Sequence, residues 1–347
     1  MSNLQVGLAI AGGLVLALVV AYNAWTSRKN LPKQAEPDTG ATSQGSAGER
    51  REPVFDAALQ SLAKLAMQTA QDRRGVLDAL IDVIAPMSLD GNLVSGDAAL
   101  AAMPATRRAG SKTFAIEGLN GSRETWETPI PGQRYSAFQA GVQMANRTGA
   151  LNEIEFSEFV MKAQAFADAV GASAEFPDMV EAVARARELD QFASAHDAQL
   201  GFTLHARSAA WSPGYIAQHA ARLGLAAGAL PGRLVLGSTV PGMPPVLTLS
   251  FDAQAAQAED PALSAVRSIR MSLDVPQVPR QERPFVRMRT IAAELAASME
   301  GVVTDDQGQS LSAEVMDGIG AELEQIYDQL EARDLAVGSE LARRLFS

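Results

Sequence analysis

The chain reads as α+β: an N-terminal transmembrane helix, then two related domains, each with a mainly antiparallel sheet covered on one face by helices. Three observations predict this. A long apolar run opens the chain, short alternating segments with hairpin-length connections are interspersed with amphipathic helices, and the order of these elements occurs twice.

From Leu4 to Trp25 no side chain is ionisable except Tyr22. A run of about 22 residues crosses a hydrocarbon core of about 30 Å as a helix. A cleaved signal peptide would want a basic stretch before a shorter apolar core, whereas here Arg28, Lys29 and Lys33 all follow the run. By the positive-inside rule these charges hold the C-terminal flank in the cytoplasm, with Met1 to Asn3 outside and Tyr22 and Trp25 at the inner interface. The expectation is a single-pass membrane protein whose bulk is cytoplasmic. Ala9 and Gly13 form a small-xxx-small pair, a spacing through which two such spans could self-associate.

Residues 26–52 are rich in Pro, Gly, Ser, Gln and charge and read as a flexible linker. From residue 53 helical periodicity returns through Phe55, Leu59, Leu62, Leu65 and Ala66, a lead-in helix expected to dock on the domain that follows.

The repeat is carried by two helix faces. Phe156, Phe159, Ala163, Phe166 and Val170 recur in the spacing of Phe285, Met288, Ala292, Leu295 and Met299, about 129 residues on. Upstream lie the strands expected at 77–85, with Ala79, Ile81 and Val83 facing the core, and at 199–207; downstream lie helices at 177–192 and 312–330. The first copy adds a helix at 95–103 and strands at 112–118, 124–128, 135–144 and near 173–176. The second adds a helix capped by Ser212 with Pro213 at its first position, and strands at 233–237, 246–251, 268–275 and 301–307. This gives a first domain over 53–198 and a second over 199–347.

Composition narrows the function. With no Cys, three His and a formal charge of -11, a disulfide framework, thiolate catalysis and Cys-ligated metal sites are excluded, and the acidic balance argues against nucleic acid. His196, His205 and His219 are too scattered for a metal site of the usual spacing. The stretch "GVQMANRTG" lacks the Gly-Lys-Ser/Thr ending of a phosphate-binding loop, Asp305 and Asp306 beside Gly308 read as a turn, and Ser208 near His205 lacks a third group. No catalytic residue, cofactor or metal is expected, and the chain reads as a binding protein rather than an enzyme.

Two parts of the sequence resemble the ZipA-type bacterial cell-division proteins: the span ending "AWTSRK" before a linker, and "FVRMRTIAAELAASMEGVVTDDQGQSLSAEVMDGIGAELEQIYDQL". The resemblance implies an adaptor of the bacterial inner membrane whose cytoplasmic domain lays the C-terminal peptide of the tubulin-like division protein FtsZ across the bare face of its sheet, tethering and bundling FtsZ filaments at the division ring. On that face alternation places Gly201, Thr203, Val235, Thr248, Ser250, Arg270 and Ser272, a mostly polar platform. An alternative platform lies in the first domain, where Leu80, Ile84, Trp126 and Tyr135 are expected on the outer face. The competing readings are a membrane-anchored binding protein for a different division partner, and a membrane-anchored enzyme or receptor.

Overall fold

A computed structural model of the chain describes residues 32–35 and 75–347. The span expected at 4–25, most of the linker and the lead-in helix lie outside the described residues. Among those described, no helix is long and apolar enough to cross a membrane. The described residues fall into two units: 75–197 with 339–347, and 32–35 with 198–338.

In the first unit the chain runs through β1 (Asp82–Ser88), β2 (Val94–Ser95), α1 (Gly96–Ala102), β3 (Arg108–Ala109), β4 (Lys112–Asn120), β5 (Trp126–Glu127) and β6 (Arg134–Gln143). A small hairpin, β7 (Ala145–Asn146) and β8 (Gly149–Ala150), leads into α2 (Glu153–Val170), β9 (Ser173–Ala174) and α3 (Met179–His196). The sheet order is β3-β4-β6-β1-β9, with antiparallel neighbours. Val83, Ala85 and Met87 alternate onto the buried face with Phe114, Ile116, Phe138 and Ala140, where they meet Phe156, Phe159, Ala163 and Phe166 of α2. Two edge-to-face ring pairs, Phe138–Phe166 at 5.1 Å and Phe114–Phe159 at 6.0 Å, join sheet to helix. Asn152 and Glu155 form a capping box at the start of α2, and Gly171 in the left-handed region ends it.

The first strand begins later than its hydrophobicity suggests, at 82 instead of 77. The Asp78 carboxylate accepts the Leu80 amide at 2.8 Å and the Asp82 carboxylate accepts the Asp78 amide at 2.9 Å, closing a turn over residues 79–81. Ala79, expected to face the core, is therefore exposed.

The second unit contains β10 (Gln199–Ala206), α4 (Pro213–Arg222), β11 (Leu225–Ala227), β12 (Arg233–Leu236), β13 (Leu247–Ser250) and α5 (Ala253–Gln257). It continues with β14 (Ser268–Asp274), α6 (Pro284–Met299), β15 (Gly301–Thr304) and α7 (Ala313–Glu331). Its sheet order is β11-β12-β13-β14-β10-β15. The last strand of the main sheet before the long helix and the strand after that helix flank the unit's first strand in both cases: β6-β1-β9 and β14-β10-β15. Phe202, Leu204, Leu234, Leu236, Leu247, Leu249, Met271 and Leu273 are buried on the helix side, as alternation predicts, while Leu200 is half-buried.

Both ends of the described chain depart from the expected boundaries. Within the linker expected at 26–52, Lys33 pairs in parallel with Trp211: its amide donates to the Ala210 carbonyl at 2.7 Å and its carbonyl accepts the Ser212 amide at 2.8 Å. Its Nζ lies 2.9 Å from the Glu300 carboxylate. That stretch of the linker is a strand bridge because Ala210–Ser212 offers free backbone groups at an edge.

The second domain, expected to run to residue 347, ends at Gly338. The last helix, α8 (Glu340–Leu345), belongs to the first unit. Its Arg344 guanidinium reaches the Asp82 carboxylate at 2.6 Å and also bonds the Val76 carbonyl, while Gln143 donates to the Arg344 carbonyl at 2.8 Å. Asp82 and Gln143 are each 1% exposed, so this helix adds partners for polar groups that β1 and β6 bury, beside the Asp78 amide and the Ala145 carbonyl they already meet.

Candidate functional site

The strand register of the second unit assembles the outer-face residues into two rows. Val235 lies across from Thr248, Thr248 from Ser272 and Ser272 from Gly201; Ser250 lies across from Arg270 and Arg270 from Thr203. All seven share one face of four adjacent strands. Arg270 is exposed and the other six are half-buried, so the platform is open and mostly polar, with Val235 its single apolar side chain.

Arg270 is not a lone solvated cation. Its guanidinium forms a two-bonded pair with the Asp306 carboxylate, Nη1 to Oδ1 at 2.6 Å and Nη2 to Oδ2 at 3.1 Å. The pair lies flat over Gly201, where an added Cβ would stand 2.9 Å from Arg270 Cζ and 3.2 Å from Asp306 Oδ1. Glycine in mid-strand marks this close approach. The neighbouring Asp305 shapes the hairpin, its carboxylate accepting the Gln307 and Gln309 amides at 2.8 Å each. One Asp of the pair is thus the turn residue expected, and the other belongs to the platform. Its signal was available in the register: Thr304 lies across from Thr203, so two residues further on Asp306 comes level with Gly201.

The alternative residues of the first unit do not form one patch. Tyr135 is fully buried, correcting the expectation that it lies on the outer face: its ring fills the space over Gly118, its hydroxyl donates to Glu127 at 3.1 Å and it accepts the Ile130 amide at 2.9 Å. Burial pushes its phenol above the usual range. Leu80 is half-buried in the turn before β1, not in a strand. Ile84 lies across from Gly141, a glycine against which the Leu77 side chain packs, and Trp126 lies across from Leu119 in a different row.

Much of that outer face is sealed by its own chain. Glu117, 1% exposed, accepts the backbone amides of Val76 and of Leu77, the latter at 2.8 Å, and takes a bond from Gln139 at 2.9 Å. Asp82 is held by Arg344, and burial pushes its carboxyl upward against the opposing pull of that guanidinium. A peptide could reach these positions only by displacing Gly75–Leu77 or α8. Among the described residues of the second unit the buried charged side chain is Glu282, which lies outside the sheet.

His205 is exposed on β10 and His219 lies within α4, so neither stands beside the other. Ser208 donates weakly to Glu300 at 3.4 Å, a carboxylate that is itself held low by Lys33. This arrangement offers no acceptor poised to activate the hydroxyl.

No curated protein matches the chain. A family model described as ZipA, C-terminal FtsZ-binding domain, matches residues 256–322, the stretch that holds β14, α6, β15 and the first half of α7. It is over this stretch, which supplies Arg270, Ser272 and Asp306 to the polar platform, that the chain resembles the ZipA-type cell-division proteins.

Proposed function

We propose that the chain is a cell-division adaptor of the bacterial inner membrane, anchored by the span at 4–25, whose second unit binds the C-terminal peptide of FtsZ on the outer face of its sheet. The carrying observation is the family match over 256–322, which contains β14, one of the four strands of the platform, and the hairpin that carries Asp306. The openness of that face, set against the sealed outer face of the first unit, favours the second unit as the binding head. In this reading the shared strand order of the two units reflects duplication, with the first head closed over by its own chain.

The platform's polarity shapes the mode of binding. Burying apolar side chains gains about 25 cal/mol per Å2, and only Val235 offers such a surface, so backbone and charge contacts would carry more of the affinity here. Arg270 can meet a peptide carboxylate only by sharing or releasing Asp306. The same polarity favours one second reading, a different and more polar division partner on the same face.

Full-length protein in detergent micelles, titrated with labelled FtsZ C-terminal peptide, is expected to bind saturably. Thr248→Arg, which plants a long cation in the middle of the platform, is expected to weaken binding by about tenfold or more. Absence of binding at high micromolar peptide would leave the second reading in its place. Asp306→Asn has the opposite expected sign: an exposed pair contributes at most about 1 kcal/mol to stability, while the freed Arg270 strengthens binding several-fold at low salt, an effect that high salt removes. A reporter fused to the C-terminus is expected to be active in its cytoplasmic form; activity only outside would overturn the topology.

A further inference from the structure

Residues 32–35 occupy a seat built on the second unit. Pro32 is buried, and the Lys33 backbone bonds Ala210 on one side and Ser212 on the other. Trp211, between those two, is bonded in turn to Val266, amide to carbonyl in both directions at 2.8 and 2.9 Å, so Lys33 forms the third row of a small ladder. Ala35 lies against Gly214 at the start of α4, where an added Cβ would stand 3.8 Å from its own.

The Lys33 side chain has its own receptor. Its Nζ lies 2.9 Å from the Glu300 carboxylate and 6.0 Å from the centre of the Tyr215 ring. Glu300 is an unfavourable residue where it stands. It caps the C-terminus of α6 with φ 56°, in the left-handed region that glycine occupies without strain. A carboxylate there also faces the negative end of the helix. Glycine would close the same helix without either penalty, so the carboxylate needs a reason outside α6. Lys33 supplies one, and its ammonium holds the Glu300 carboxyl below the usual range. Ser208 adds only a weak bond at 3.4 Å, and Arg207 lines the same hollow without an ion pair to Glu300 among the described residues.

Distance along the chain gives the clip a consequence. Lys33 follows Trp25 by about eight residues, a reach of at most about 29 Å at 3.3–3.6 Å per residue. Gly75, where the description of the first unit starts, follows Trp25 by about fifty. The unit that comes second in the sequence is thus joined to the expected span by the shorter path.

We propose that residues 32–35 are a clip that moors the second unit at the bilayer, holding its platform within a short, fixed reach of the membrane while residues 36–74 serve as the connection to the first unit. This rests on the reading of 4–25 as a membrane span. With the clip open, the second unit is joined to the span only through residues 36–197, and the platform is free to move away from the membrane. The clip therefore sets the reach of the binding head. Its ion pair is accessible to ions, with Glu300 64% exposed, so high salt favours release.

The chain has no Cys, so Ser27→Cys with Ser268→Cys places two spin labels, one beside the span and one on an exposed position of β14, in full-length protein in liposomes. Their separation, read by pulsed dipolar spectroscopy, is expected to be narrowly distributed. Lys33→Pro, which removes the amide that donates to Ala210, is expected to lengthen the mean by about 10 Å or more and to broaden the distribution. Lys33→Glu sets a like charge against Glu300 and is expected to shift part of the population the same way. The exchanged pair Lys33→Glu, Glu300→Lys is expected to restore the narrow distance.

Glu300→Gly separates the clip from the fold. It is expected to keep or raise the melting temperature, because glycine relieves the left-handed backbone, while lengthening the distance. A lower melting temperature would assign the carboxylate to the fold and overturn its part in the clip. A broad distance in the wild type, equal distances in wild type and Lys33→Pro, or an exchanged pair that stays open would each overturn the mooring. Flotation with the liposomes tests the span by itself. Protein left in solution overturns the membrane reading and the mooring with it, whereas protein that floats and does not respond to Lys33→Pro overturns the mooring alone.

Discussion

Arg344→Ala is expected to destabilise the first unit by about 3–5 kcal/mol, the cost of removing one partner from a buried ion pair. The Asp82 side chain is fully buried and that of Arg344 only 17% exposed, so removing the guanidinium leaves a buried carboxylate with the Asp78 amide as its remaining partner. Hydrogen exchange should report it locally, with the amides of β1 and β6 losing protection while those of β13 and β14 keep theirs. The sign of the pH dependence follows from the carboxyl. Burial already raises the Asp82 pKa, and removing the opposing Arg344 raises it further. A group whose folded pKa lies above its unfolded value contributes stability at low pH that is lost as pH rises through the folded pKa. The deficit of Arg344→Ala should therefore be largest at neutral pH and narrow as pH falls toward about 4, the ordinary carboxyl range. Adding Asp82→Asn should recover part of it at neutral pH, since Asn keeps an oxygen for the Asp78 amide without the charge. An Arg344→Ala protein with unchanged melting and exchange would show that α8 does not complete this unit.

Trp211→Ala is expected to cost the second unit a similar amount, about 3–5 kcal/mol for a large side chain deleted from a core. Trp211 is 0% exposed, its Nε1 donates to the Met299 carbonyl at 2.9 Å, and its backbone joins Lys33 on one side and Val266 on the other. Trp211→Phe separates the contributions: it keeps most of the volume but leaves a buried carbonyl unpaired, worth about 1–3 kcal/mol. In both variants the Lys33 amide is expected to exchange faster together with that of Val266. If Lys33 exchanges freely already in the wild type, the strand bridge is not a stable part of the unit.

How far the sequence reveals these features depends on the range of the interaction. The faces of α2 and α6 were legible because Phe156 to Phe166 and Phe285 to Met299 repeat a local period that burial alone selects. The core rows of β10, β12, β13 and β14 were legible for the same reason, at period two. The start of β1 was not, because two aspartates, Asp78 and Asp82, hold a turn inside an apolar run. Tyr135 was misread as exposed because its hydroxyl partners, Glu127 and the Ile130 amide, come together only across a hairpin.

The charged groups were the least legible. Asp82, Lys112 and Glu117 are buried in strands, where alternation assigns charge to solvent. Lys112 is held by Ser111, Asn146 and Thr148, and Asp82 by an arginine 262 residues away. No local pattern announces such partners. The platform stood between these cases: its residues followed from alternation, but Asp306 joined Arg270 only once the pairing of β10 with β15 was known.

The place of α8 also sets an order of events during synthesis. A ribosome delivers residues 75–197 long before it delivers Arg344, and residues 198–338 of the second unit emerge in between. The earlier-made domain must wait with Asp82 held only by the Asp78 amide while the later-made one acquires every residue from 198 to 338. Nascent chains are therefore expected to complete the downstream fold first, and a chain cut before Glu340 would leave the upstream domain without α8.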